Sequence, residues 1–177
     1  MKTMNILISG FGGQGVLFTG KFLAYEGLLE NKEVTWLPSY GPEMRGGTAS
    51  CSVIISDNPI GSPLVPHPDV LIAMNLPSLD RFESEVVPGG MIFYDSSLIS
   101  RDVVRTDVKA FPVPATKLAE EQGFTTLANM IVMGKMLKET NVFPVEAIDR
   151  TIAKVVSAKR QNLIELNKKA VSIGYTL

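Results

Sequence analysis

The run Ile6-Leu7-Ile8, followed by Gly10-Phe11-Gly12-Gly13-Gln14-Gly15 and then an apolar segment from Val16, decides the fold. It fits the strand–glycine loop–helix pattern G-x-G-x-x-G, in which glycines let backbone N–H groups approach a ligand closely. The helix that follows aims its partly positive N-terminus at the same point, so the loop suits a phosphate. A tight strand-to-helix turn with no ligand explains the same letters, and the two readings stand side by side here.

Working outward, Asn5 to Ser9 reads as a short buried strand and Val16 to Leu29 as a helix. Gly20, Ala24 and Gly27 recur at helical spacing and would let that helix lie close on a sheet. Val34 to Leu37 is a second strand, giving a β-α-β start. Tyr40 to Thr48 is a loop, Ala49 to Ser56 is strand-like, and Asp57-Asn58-Pro59-Ile60-Gly61 is a turn signal. Val70 to Met74 and Met91 to Tyr94 are continuous apolar runs, as in strands covered on both faces. Between them Leu79 to Val86 reads as a helix, stopped at Pro88-Gly89-Gly90; Asp107 to Val113 is a further strand.

The remainder reads as helical. Thr125 to Lys138 is apolar almost all round, so it is either buried on several sides or set against another subunit. Pro144 suits a first helical position, and Val145, Ile148, Ile152, Val155 and Val156 follow the helical period. A last helix spans roughly Gln161 to Ser172 and ends near Gly174. This order predicts an α/β chain of one domain over residues 1–177. Its sheet is doubly wound, Rossmann-like and mostly parallel, flanked by helices, with an inserted loop-hairpin over Tyr40–Pro66 and a helical C-terminal end.

With 45% hydrophobic and 20% charged residues the chain is an ordinary globular one. A net charge of -1 argues against nucleic acid and against polybasic membrane contact. No apolar run approaches a bilayer span. Met1-Lys2-Thr3-Met4 leads straight into a strand, so no secretory leader is expected, and a single cysteine, Cys51, fits a reducing cytoplasmic setting. One thiol cannot hold an iron–sulfur cluster, which takes about four. One histidine, His67, makes zinc equally poor, and no metal site is expected.

Two loops compete for function. A dinucleotide site would want an acid at the end of the second strand to bind ribose, but that strand ends Trp36-Leu37-Pro38-Ser39, and Glu33 lies at its start. The case for NAD weakens accordingly. The block Gly41-Pro42-Glu43-Met44-Arg45-Gly46-Gly47 leaves that strand beside Gly10–Gly15, and Arg45 would offer a planar, permanent cation to phosphate oxygens. A surface loop with solvated Glu43 and Arg45 is the plainer alternative. Asn75 and Asp95 follow apolar strands and should emerge on the same edge, either as ligands or as polar caps. Cys51 reads as a small buried hydrophobe, His67 as a loop residue, and Met130, Met133 and Met136 as packing. No catalytic residue is assigned.

Three blocks taken together, Gly10–Val16, Pro38–Gly47 and Asn129-Met-Ile-Val-Met-Gly134, resemble the gamma subunit of 2-oxoacid:ferredoxin oxidoreductases over nearly the whole chain. The Trp36–Thr48 segment looks closest to the 2-oxoglutarate or branched-chain branch, with the pyruvate branch second. The resemblance implies a multisubunit enzyme that converts a 2-oxoacid and coenzyme A to acyl-CoA, CO2 and reduced ferredoxin. It implies alpha, beta and ferredoxin-like delta partners, with thiamine diphosphate and [4Fe-4S] clusters on those subunits and no activity in this chain alone. It further implies that Gly10, Phe11, Gly12, Gly13, Gln14 and Gly15, with Gly41, Pro42, Glu43, Arg45, Gly46 and Gly47, hold the phosphate end of CoA. A purely docking subunit, or a free-standing NAD- or flavin-linked reductase, are the alternative readings.

Overall fold

The computed structural model describes residues 3–40, 47–124, 126–156 and 161–177. Strand β1 (Met4–Phe11) leads into α1 (Val16–Leu29), followed by β2 (Glu33–Tyr40) and β3 (Thr48–Ser56). Then come β4 (Val70–Ala73), α2 (Leu76–Phe82) with a 3-10 turn at Glu83–Glu85, β5 (Met91–Asp95) and β6 (Lys109–Val113). The chain closes with α3 (Ala115–Glu121), α4 (Ala128–Thr140), a 3-10 turn at Val145–Ala147, α5 (Ile148–Val155) and α6 (Gln161–Thr176).

The six strands form one sheet in the order β2-β3-β1-β4-β5-β6. Strands β1, β4, β5 and β6 are parallel, whereas β3 runs antiparallel to both β1 and β2. The α/β class and the mostly parallel sheet are as the sequence predicts, but the first β-α-β unit differs in detail. Strand β3 wedges between β1 and β2, so the inserted hairpin is β2–β3 itself, and Asp57–Pro66 is an irregular return outside it. Pro38 explains the order. It is paired opposite Cys51 yet has no N–H to give a second neighbour, so β2 can only be an edge. Strand β6, the other edge, carries Pro112. A proline on each edge discourages further strand pairing.

Face selection follows the period of two. Ile6, Ile8, Cys51, Val53, Ile55, Val70, Ile72 and Phe93 join the core under α1 and α4. Leu7, Leu71, Ala73, Ile92 and Tyr94 pack on the other face with Leu79, Val86 and Ile99. Helix α4 is buried by its own chain: Met130, Met133 and Met136 are fully covered, and α6 lies along it. Of the two readings of the apolar Thr125–Lys138 run, burial within the chain is the one that holds.

Gly174 does not end the last helix. It lies inside α6, where a Cβ would run into the carbonyl oxygen of Ile131, and Gly134 meets the Val171 carbonyl in the same way. The two helix backbones therefore touch. Gly174→Val should cost about 1–3 kcal/mol through overpacking, lowering Tm by several degrees in a calorimetric scan; an unchanged Tm would contradict this contact.

One buried charge is unusual. Glu26 of α1 is fully covered; one carboxyl oxygen accepts from Thr151 Oγ1 of α5 and the other, Oε1, has no partner. Burial raises its pKa above the ordinary 4.5, assisted by Glu30 and opposed by the Thr151 hydrogen bond and by Arg150. A raised folded-state pKa means stability is present below the ordinary value and is lost as pH climbs through the folded one. Glu26→Gln should therefore flatten that slope, so that the variant gains Tm over the parent as pH rises above 4.5. Parallel Tm curves across that range would refute the buried acid.

Candidate functional site

At the top of β1 the chain must turn into α1 with no side-chain cap, and Gly15 does this at φ 75. Gly13 has φ 103, and both values favour glycine. A Cβ on Gly15 would lie 2.5 Å from Asn129 Nδ2, whereas one on Gly13 would meet nothing within 4 Å. Gly15 is thus tight against the protein and Gly13 faces open space. Among the described residues, the N–H groups of Gly13, Gly15, Val16 and Leu17 donate to no backbone carbonyl. They are the spare donors of a helix start.

Gln14 fastens this loop. Its Oε1 accepts from Phe11 N–H at 2.7 Å and from Asn75 Nδ2 at 3.1 Å, and its Nε2 donates to Met74 O at 2.9 Å. Met74 and Asn75 follow β4, so the side chain bridges the tips of two neighbouring parallel strands whose helices pack on opposite faces. That switch in direction is where open α/β sheets leave a crevice. From above, Asn129 Nδ2 donates to Gly15 O at 3.3 Å and to Thr19 Oγ1 at 3.0 Å. Gly12 N–H donates to Gly47 O at 3.1 Å, so the end of the β2–β3 hairpin lies against the glycine loop. Gly41, Pro42, Glu43, Arg45 and Gly46 lie outside the described residues.

Three clefts converge on Gly13. One, of about 170 Å³, runs toward α3 and α4 with Gln14, Met74, Thr116 and Glu120 in its wall. A second, of about 590 Å³, runs between α1, α4, α5 and α6. The third, of about 290 Å³, lies beside Phe11, Gly12 and Ala49. Among the described lining residues Glu120 is the one ionisable group. Attraction for an anion here comes from backbone N–H groups and the helix dipole, worth about 0.3–1 kcal/mol for an exposed charge.

Asn75 and Asp95 do sit at this edge, and both serve structure. Asn75 Oδ1 caps α2 by accepting from Ser78 N–H at 2.9 Å, and fully buried Asp95 accepts from Thr116 Oγ1 at 2.5 Å and from Ser97 N–H at 3.0 Å. Glu33 lies at the far end of β2, paired with Ser56. Cys51 is fully buried, and burial pushes its thiol up to about 12. Asn129 is not among the residues the sequence assigns to the site, although it is the polar residue in the first turn of a helix that stays apolar from Met130 to Gly134. Thr116, in the wall of the cleft toward α3, carries no comparable signal.

The pyruvate ferredoxin/flavodoxin oxidoreductase family model matches residues 5–177. Ketoisovalerate oxidoreductase subunit VorA of Methanothermobacter thermautotrophicus is 40% identical over 97% of this chain and 35% of its own length. The chain thus spans about a third of the first curated relatives it matches. 2-Oxoglutarate synthase subunit KorC of Methanocaldococcus jannaschii is 34% identical over 92% of this chain and 90% of its own. A solved gamma subunit of a keto/oxoacid ferredoxin oxidoreductase from Geobacter sulfurreducens superimposes with TM-score 0.80 at 29% identity, covering 98% of this chain and 96% of that one. The 2-oxoglutarate:ferredoxin oxidoreductase of Magnetococcus marinus, solved with 2-oxoglutarate, coenzyme A and succinyl-CoA bound, shares the fold at TM-score 0.89 and 22% identity, over 99% of this chain and 31% of that one.

Gln14→Ala removes three hydrogen bonds that hold the loop to β4. Amide exchange at Phe11 should speed up by about tenfold or more, in line with roughly 1–1.5 kcal/mol per bond. Unchanged protection at Phe11 would show that the loop does not depend on this side chain.

Proposed function

The chain belongs to the pyruvate ferredoxin/flavodoxin oxidoreductase family, and from that premise we propose that it is the gamma subunit of a multisubunit 2-oxoacid:ferredoxin oxidoreductase. The complex converts a 2-oxoacid, with 2-oxoglutarate and branched-chain acids favoured, and CoA to acyl-CoA and CO2, passing two electrons to ferredoxin. This subunit holds CoA by its phosphates. The observation that carries the reading is the crevice at the tips of β1 and β4, where Gly13 faces open space and, among the described residues, the N–H groups of Gly13, Gly15, Val16 and Leu17 donate to no backbone carbonyl. The CoA present in the Magnetococcus marinus structure of the same fold supports the choice of ligand.

The chain's own residues fit a positioning role. Cys51 is buried in the sheet with its thiol held protonated, so it neither ligates a cluster nor attacks a substrate. Thiamine diphosphate and [4Fe-4S] clusters are assigned to the alpha, beta and ferredoxin-like delta partners, where they supply decarboxylation and electron transfer. The glycine loop binds phosphate by backbone donors, and Arg45, two residues before Gly47 in the sequence, supplies the cation that the described lining residues lack. Fixing CoA in this way raises the local concentration of its thiol at the partner's site. The setting is cytoplasmic; among the described residues no helix is long and apolar enough to cross a membrane. A purely docking role loses its main support, because α4 is buried inside the chain. A dinucleotide reductase is disfavoured by the position of Glu33.

In the assembled complex, Arg45→Ala should raise the KM for CoA about tenfold or more while the KM for the 2-oxoacid stays within twofold, as expected for loss of a charge-assisted contact of roughly 1.5–3 kcal/mol. Gly13→Val, which puts a side chain into the open crevice, should do the same. Steady-state kinetics with CoA varied decide the matter, and an unaltered CoA dependence in both variants would overturn the assignment.

A further inference from the structure

We propose that the open sheet face beyond α2 is a docking groove for an acidic, extended segment of a partner subunit, whose carboxylate pairs with Arg81; this rests on the subunit reading above. Helix α2 lies over β4 and β1 on that face, and beyond it β3 and β2 form the floor of a cleft of about 780 Å³. A continuation of about 240 Å³ reaches Ser9, Thr48 and Ser78 near the tip of β1. Both lie on the Leu7 side of the sheet, away from α1, so neither belongs to the glycine-loop crevice. Docking here accompanies the positioning of CoA and does not replace it.

The strand register makes the floor. Ser39, Ser50 and Ser9 form one cross-strand row, and Leu37, Ser52 and Leu7 form the next. The small serines leave a trough, walled by Leu64, Val65 and Pro66 of the return segment and by Arg81 and Phe82 of α2. Among the described residues the hydroxyls of Ser39, Ser50 and Ser52 make no hydrogen bond, and Leu64 at the rim is 67% exposed. The groove thus offers apolar contact at its walls and free hydroxyl groups along its floor. An extended polypeptide brings partners for both, through its side chains and its backbone.

Charge decides the kind of segment. Arg101, Arg105 and Arg150 each pair with a carboxylate. Arg81 is exposed, pairs with no carboxylate among the described residues and sits over the Phe82 ring at 5.2 Å. A guanidinium placed over a ring keeps N–H donors free for an incoming carboxylate. Glu85 lies in the same wall, 3.5 Å from His67 Nδ1, and sets a negative charge against a polyanion such as nucleic acid. Strand addition along β2 is hindered, since Pro38 has no N–H to give, so the groove is read through its face. The relatives point to a subunit as the source of the segment. KorC of Methanocaldococcus jannaschii is matched over 90% of its length, whereas VorA and the Magnetococcus marinus chain carry this unit as 35% and 31% of theirs. A unit that occurs both nearly alone and tied to a larger chain needs a surface that holds its neighbour in either setting, and the groove supplies one.

The test measures association of the full chain with the thiamine diphosphate and iron–sulfur subunits of its complex. Arg81→Glu should weaken association by about tenfold or more, the usual effect of losing a charge-assisted contact. Its Tm should stay within about 2 °C of the parent, as for an exposed side chain without partners. Ser39→Trp, which fills the trough from an exposed position, should weaken association likewise. Arg81→Lys keeps the charge and adds an amine. Treated with a carbodiimide in the complex, that variant should cross-link through the new amine to an Asp or Glu of a partner subunit, identified by peptide mass spectrometry. Unchanged association in either Arg81→Glu or Ser39→Trp, or cross-links confined to this chain or to a second copy of it, would overturn the inference. If the parent chain still assembles and Gly13→Val still raises the CoA KM, the groove alone fails. If the parent chain does not assemble with those subunits at all, the subunit reading fails and the inference with it.

Discussion

The hydrogen bonds of one side chain, Gln14, set the geometry on which the candidate site depends. A loop of four glycines has no intrinsic shape, and the entropy of ordering it opposes any fixed conformation. Gln14 offsets this by joining Phe11 N–H, Asn75 Nδ2 and Met74 O, so that the loop is anchored to β4 as well as to its own strand. Asn75 is in turn held as the cap of α2. The arrangement draws on both helices that diverge from the switch point, and it leaves Gly13 standing free. Asn129 completes it by pinning the Gly15 carbonyl from α4.

Much of this fold was legible because apolar period and glycine placement act locally. Helix α1 runs from Val16 to Leu29 as read, and the runs at Val70 and Met91 are central strands. Strand order is a different matter, since it depends on which neighbours satisfy each backbone edge. The clue was present in Pro38, which cannot serve a second neighbour, but it speaks only when weighed against β3, whose inward residues Cys51, Val53 and Ile55 are all fully buried. Gly174 misled for a similar reason. A glycine near a helix end reads as a stop signal, yet here it is close contact with the Ile131 carbonyl that requires it.

The candidate site was legible in its backbone and obscure in its side chains. Glycines mark where N–H groups approach a ligand, and that signal needs no tertiary information. Asn75 and Asp95 stood at the right edge for the right reason, but local geometry consumes them: each caps a neighbouring segment. Polar residues at strand tips serve such caps often, so position alone does not separate a ligand from a cap.

The electrostatics argue for a shared site. An exposed anion gains about 0.3–1 kcal/mol from a helix N-terminus, too little to hold a phosphorylated ligand against the cost of association. Among the described residues lining the clefts none is basic, and Glu120 works against an anion in the smallest of them. Further binding energy has to arrive from outside these walls. The β2–β3 hairpin is placed to bring it, because Gly12 N–H holds Gly47 against the loop and Arg45 lies two residues earlier in the chain. On the proposed reading a neighbouring subunit is the other source. A ligand held at one end by weak backbone contacts and at the other by a neighbouring subunit would be bound well only when both are present, and capture would then be coupled to assembly.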